Sequence, residues 1–177
     1  PVEVKMQNIL TDRTSVEVNF RPKAGLPNIS DRLQEQIVKN SIETAILCEL
    51  YPRSSVVITI QEMQNYGGLI ACAINATCAA LLNSGIDMRF LLAAVNCTVD
   101  KDNELHLDPD QIERDHAKAA FTFVFDSLDK KVVSSQTTGS FTLQQFQVAL
   151  DLCKAACDCI FDFYKTITSK QISKHVV

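Results

Sequence analysis

Between Gly68 and Gly85 the chain runs LIACAINATCAALLNS without one charged side chain. Small and apolar residues in an unbroken run of this length read as a single buried helix, stopped by Asn83-Ser84-Gly85. A helix apolar around its whole circumference needs cover on more than one side, so the fold has to be layered. Strand patterns supply the layers. "VEVKM" from Val2 and "SVEVNF" from Ser15 alternate with period two, and "SSVVITIQEM" from Ser54 and "FLLAAVNCTV" from Phe90 are β-branched or apolar runs. "ELHLD", "AFTFVFDS" and "KKVVSSQTT" follow, separated by polar turns. Asp31 and Gln34 stand three apart and predict a helix from there to about Leu50. The last element carries the fullest signature. Thr142 and Gln145 make a capping box, Phe141 and Phe146 occupy the staple positions, and Phe146, Leu150, Cys153, Cys157, Ile160, Tyr164 and Ile167 form one apolar stripe. The expected fold class is α+β, a sandwich of sheet and helices, with residues 1–177 as one domain because no linker, repeat or low-complexity tract divides them.

A net charge of −4, from 17 basic and 21 acidic residues, argues against a nucleic-acid binder that relies on a generally basic surface. Contact with a polyanion has to be local. The seven cysteines form no CxxC pair and fall mostly on apolar faces, as free core thiols do in a reducing compartment, so an intracellular protein is expected. The triplets at Asn28, Asn75 and Asn96 that match a glycosylation acceptor are read as chance, and no apolar run predicts a membrane span.

A glycine pair opening a helix, as Gly67-Gly68 does, is a place where backbone amides can cradle phosphate. It lacks the following Gly-Lys-Ser/Thr of a P-loop and is too short for a dinucleotide fingerprint. His106, His116 and His175 lack metal-ligand spacing, so no metal site is expected. "LDPDQIERD" gathers Asp108, Asp110, Glu113 and Asp115, a pattern of either a solvated turn or paired carboxylates for acid/base or metal chemistry. Arg21, Lys23, Arg32, Arg53 and Arg89 lie near predicted element ends, from which long basic side chains reach a phosphate backbone.

Taken in order and spacing, "VEVNFRPKAGLP", "LYPRSSVVITIQ", "GGLIACAINATCAAL", "GIDMR" and "LHLDP" resemble the RNase PH-like proteins over about Pro1 to Ile167, and most nearly the ring subunits of the eukaryotic RNA exosome. The resemblance implies a ribosomal protein S5 domain 2-like fold. It also implies two or three further strands ahead of Pro1, so a chain lacking its N-terminal strands is expected. In phosphate-dependent members the segment matching Asn65 to Ala71 reads Ala-Asp-Gly-Gly-Thr-Arg-Thr, and its arginine helps bind phosphate; here Ile70 holds that place. The family's Leu-Asp-Leu-Asp pattern is matched by Leu105-His106-Leu107-Asp108, with Glu113 or Asp115 as the later acid, and a second phosphate arginine is matched by Arg32 or displaced by Ser30. An isoleucine offers an anion neither charge nor donor, whereas arginine offers two parallel donors.

The resemblance therefore implies a non-catalytic structural subunit, paired with other RNase PH-like chains in a hexameric ring and helping to line a channel for RNA. It implies no membrane partner, no cofactor, a homodimer as a possible form in isolation, and a place in the nucleus, nucleolus and cytoplasm. Arg21, Lys23, Arg32, Arg53 and Arg89 are the RNA-binding candidates. The alternative is a weak phosphorolytic or Mg²⁺-dependent nuclease, acting alone or as a homodimer through Asp108 with Glu113 or Asp115.

Overall fold

The computed structural model describes residues 2–3 and 10–175. Strand β1 (Val2–Glu3) runs antiparallel to β3 (Ser54–Gln61), and β2 (Ser15–Arg21) runs parallel to it, in register from Ser15↔Ser55 to Arg21↔Gln61. The rest of the expected "VEVKM" strand lies outside the described residues. A parallel pair needs a crossover, which α1 (Ile29–Ala45) provides before packing on β2. The second sheet is antiparallel, in the order β5 (Leu105–Leu107), β4 (Leu92–Val99), β6 (Ala119–Asp126), β7 (Val132–Gly139).

Helix α2 (Leu69–Ser84) is the apolar run, ended by Gly85 at φ 70°. It packs on α1, β3 and β4, while α4 (Leu143–His175) packs on β4 and β6. Every residue of β4 is buried, as a strand covered on both faces must be. Register sets Cys97 beside Phe121 and Val95 beside Phe123, and the two phenylalanines meet Phe146 of α4 edge to face at 6.0 and 5.4 Å. The α4 signature holds throughout: the Thr142 amide donates to Gln145 Oε1 (2.9 Å), the Gln145 amide to Thr142 Oγ1 (3.3 Å), and Phe141 stacks on Phe146. Cys153, Cys157 and Tyr164 of the stripe are buried, and Ala149 and Phe161 widen it.

Two expectations are corrected. Helix α1 begins earlier, because Asn28 is its cap and donates its amide to Asp31 (2.8 Å). It also ends earlier: buried Ile46 turns extended to form a bridge with Met88, and only a short 3₁₀ turn, Cys48–Leu50, follows. The acidic stretch read as a turn contains a helix, α3 (Gln111–His116), whose Asp110 cap donates its amide to Glu113 (3.0 Å).

The edge of β4 beyond its short pairing with β5 is finished by side chains rather than by a strand. Asn75 of α2 donates to the Ala94 carbonyl (2.9 Å) and accepts from the Ala94 amide (2.8 Å). Tyr164 of α4 donates its hydroxyl to the Leu92 carbonyl (3.2 Å), and the Leu92 amide faces Cys78 Sγ (3.4 Å). Buried backbone groups are thereby satisfied where a neighbouring strand is absent.

Candidate functional site

The turn before α2 is pressed against two other chain segments, and this decides which residues it can hold. At Gly67 (φ 135°) a side-chain Cβ would fall 2.2 Å from the Pro109 carbonyl oxygen, and at Gly68 it would fall 2.3 Å from Asn96 Nδ2. Gly67 therefore requires glycine, and a side chain at Gly68 would have to displace the Asn96 amide. Asn96 is oriented by Thr122, whose hydroxyl donates to Asn96 Oδ1 (2.8 Å), so its amide nitrogen faces the turn. Asp108 follows β5 in the left-handed region at φ 50°, unusual for a residue with a side chain, and its amide donates to the Asn96 carbonyl (3.0 Å). Its carboxylate faces the same turn, with Oδ1 3.5 Å from the position a Gly68 Cβ would take.

Ile70 lies in the apolar core, 9% exposed, and does not line the groove in which Asp108 and Gly68 meet. The cation that does arrive is Arg114 of α3, whose Nη1 donates to the Gly67 carbonyl at 2.8 Å. That contact ties the turn to α3 through a carbonyl, leaving the amides at the start of α2 without a charged partner from this side chain. Nothing local marks Arg114: it sits inside an acidic stretch 47 residues away from its acceptor. Only the tertiary fold joins them.

The acids do not assemble. Glu113 accepts the Asp110 amide and Asp115 accepts Gln111 Nε2 (3.0 Å), so each serves α3 rather than Asp108. Among the described residues no group of three or more His, Cys, Asp or Glu side chains is arranged to hold a metal ion. His106, in place of the family's first aspartate, lies 4.0 Å from Asp100.

The basic candidates separate into two groups. Arg21 ends β2, Lys23 follows it, and Arg32 is the fourth residue of α1; Arg32 shares a cleft beside β2 with Glu35 and Lys39. Arg53 (φ 59°) precedes β3, and Arg89, whose amide bonds the Ala45 carbonyl at the far end of α1, is paired with Glu49 (3.2 Å). Because β2 and β3 run parallel, the groups lie at opposite ends of the strands, about 20 Å apart at ordinary strand rise.

Buried titratable groups lie behind this surface. Hydrogen bonding to Cys97, and then burial, hold the Cys153 thiol protonated well above the usual thiol range. Burial raises Cys78 and Tyr164 likewise, the latter also through its neighbour Cys78.

Two sheets with their intervening helices enclose a glycine turn that faces one aspartate, and in the register the resemblance implies, Ile70 stands where phosphate-dependent members carry an arginine. The profile of the RNase PH 3′ exoribonuclease family, domain 1, matches residues 1–87. The chain thus carries an RNase PH domain 1 match over nearly half its length and is RNase PH-like in fold. It is 27% identical to the exosome complex exonuclease RRP46 homolog of Oryza sativa subsp. japonica, over 90% of this chain and 74% of that protein. With the exosome complex component RRP46 homolog of Caenorhabditis elegans it shares 26% identity over 98% of this chain and 81% of the other. The crystal structure of rice Rrp46 superposes with a TM-score of 0.89 at 28% identity, covering 94% of this chain and 79% of that one. A chain of the Archaeoglobus fulgidus exosome with RNA bound to the active site shares the fold, with a TM-score of 0.70 at 18% identity, over 93% of this chain and 74% of its own.

Proposed function

We propose that this chain is a non-catalytic structural subunit of the RNA exosome ring, supporting 3′-to-5′ RNA processing and degradation carried out elsewhere in the assembly. The observation that carries the proposal is Ile70: where active relatives hold phosphate with an arginine, this chain puts a core side chain. The likeness to rice Rrp46 over 94% of the chain supports the same reading. Its partners are other RNase PH-like subunits in a hexameric ring, together with RNA, and its places of work are the nucleus, the nucleolus and the cytoplasm. Of the five basic candidates we assign Arg21, Lys23 and Arg32 to the RNA channel. Arg53 and Arg89 lie at the other end of the strands, and Arg89 is engaged by Glu49.

The nuclease alternative rests on Asp108, held in a strained conformation at the glycine turn. Mg²⁺ belongs to that reading alone, and neither Glu113 nor Asp115 is hydrogen-bonded to Asp108 in the way a carboxylate site would use them. The test incubates the purified chain with 5′-labelled single-stranded RNA, with and without phosphate and Mg²⁺, beside Asp108→Ala. No cleavage, together with incorporation into a ring reconstituted with RNase PH-like partners, is the expected result. Phosphate-dependent release of nucleoside diphosphates that Asp108→Ala abolishes would overturn the proposal.

A further inference from the structure

A groove of about 660 Å³ runs between α2 and α4 above the edge of β4. On its α2 wall Cys72, Ala76 and Ala79 recur at helical spacing, and on its α4 wall Ala156, Ile160 and Phe163 do the same. Spacings of three and four residues stack side chains into a ridge on each helix, and two such ridges leave a furrow of the kind that seats a third helix. The α2 ridge is made of small residues, which lets another backbone approach closely, while Phe163 stands 58% exposed at the rim.

The floor excludes a different kind of visitor. An added strand needs free backbone donors and acceptors, and along this edge Asn75 occupies both groups of Ala94 while Tyr164 and Cys78 occupy those of Leu92. The ends of the groove also differ in charge. Asp108 lines one end, and among the described residues no cation lies within ion-pair distance of it. An apolar furrow ending in an unpaired carboxylate is complementary to an apolar face that ends in a cation.

We propose that this groove docks an amphipathic helix of a partner protein, with its apolar face against α2 and α4 and one lysine or arginine opposite Asp108. Cys72 to Ala79 spans about 10 Å, so the contact covers about two turns of the visiting helix. The inference goes beyond the ring reading and does not depend on it.

Cys72 and Cys159 are both exposed, one on each wall, and serve as built-in reporters. The test selects binders to the whole chain from a display library of amphipathic helices of about 14 residues, with randomised apolar and charged positions. Expected are enriched helices that carry a basic residue at one end and slow maleimide labelling of both thiols at saturation. They should bind about tenfold more weakly to Ala76→Glu and to Phe163→Glu, exposed substitutions that leave the core intact. Against Asp108→Asn the preference for a basic residue should vanish. Three outcomes would overturn the proposal: no enrichment over the two groove variants, selected peptides with strand alternation, or thiols already shielded in the free chain because a second copy fills the groove.

Discussion

Ile70 and Arg114 show how two single side chains settle what the glycine turn can do. With Ile70 in the core, Ile70→Arg places an unpaired charge among apolar neighbours, and a loss of about 2–4 kcal/mol in urea denaturation is expected, with no gain of phosphate-dependent RNA cleavage. A stable variant that releases nucleoside diphosphates would show that the site needs only its arginine. Arg114→Ala removes the guanidinium from the Gly67 carbonyl; because Arg114 is partly exposed, about 1 kcal/mol is expected, below the usual range for charged hydrogen bonds. Cys78 and Tyr164, raised by burial with no lowered partner to offset them, make stability depend on pH. Each keeps its proton in the folded chain at a pH where the unfolded chain releases it, so the folded state binds more protons and stability falls as pH rises. Urea midpoints should hold steady below about pH 8.5, the ordinary thiol value, then decline, and Tyr164→Phe should flatten the part of the decline above about pH 10. Gly67-Gly68 and Asp108 stood out in the sequence as two separate local patterns, but their meeting did not, and Arg114 did not stand out at all, since its partner comes from a distant turn.

Helix ends show the same division. The start of α4 was legible because Thr142, Gln145, Phe141 and Phe146 satisfy and cover one another within six residues. Thr142→Ala should therefore lower stability by about 1 kcal/mol, read as a shift in urea midpoint, and Thr142→Ser should restore most of it. The end of α1 was not legible. Up to Ala45 the residues are compatible with further helix, and what stops it is the bridge from Ile46 to Met88, a contact between segments far apart in sequence. Helix α3 was hidden for another reason: six residues are too few to show a period, and its acidic cap looks like a solvated turn.

For the molecule as a whole, layering was legible and the pairing of strands was not. An uncharged α2 demanded cover, but nothing in the strand patterns said that β2 pairs parallel with β3 while β4 to β7 form a separate antiparallel sheet. That arrangement divides the basic residues between two ends, and it makes the ring reading specific. In a reconstituted ring, reversing the charges of Arg21, Lys23 and Arg32 should weaken RNA crosslinking to this subunit and flatten its salt dependence, whereas reversing Arg53 and Arg89 should change neither. Equal effects from both sets would show that the channel is not confined to one end. The edge of β4 has a kinetic counterpart. An amide paired to a neighbouring strand is released when that strand peels away, but the Ala94 amide is held by Asn75, a residue of a helix packed against the sheet and its neighbours. Deuterium reaches Ala94 only when α2 lifts from β4, so the exchange rate of one backbone proton times an opening of the central layer.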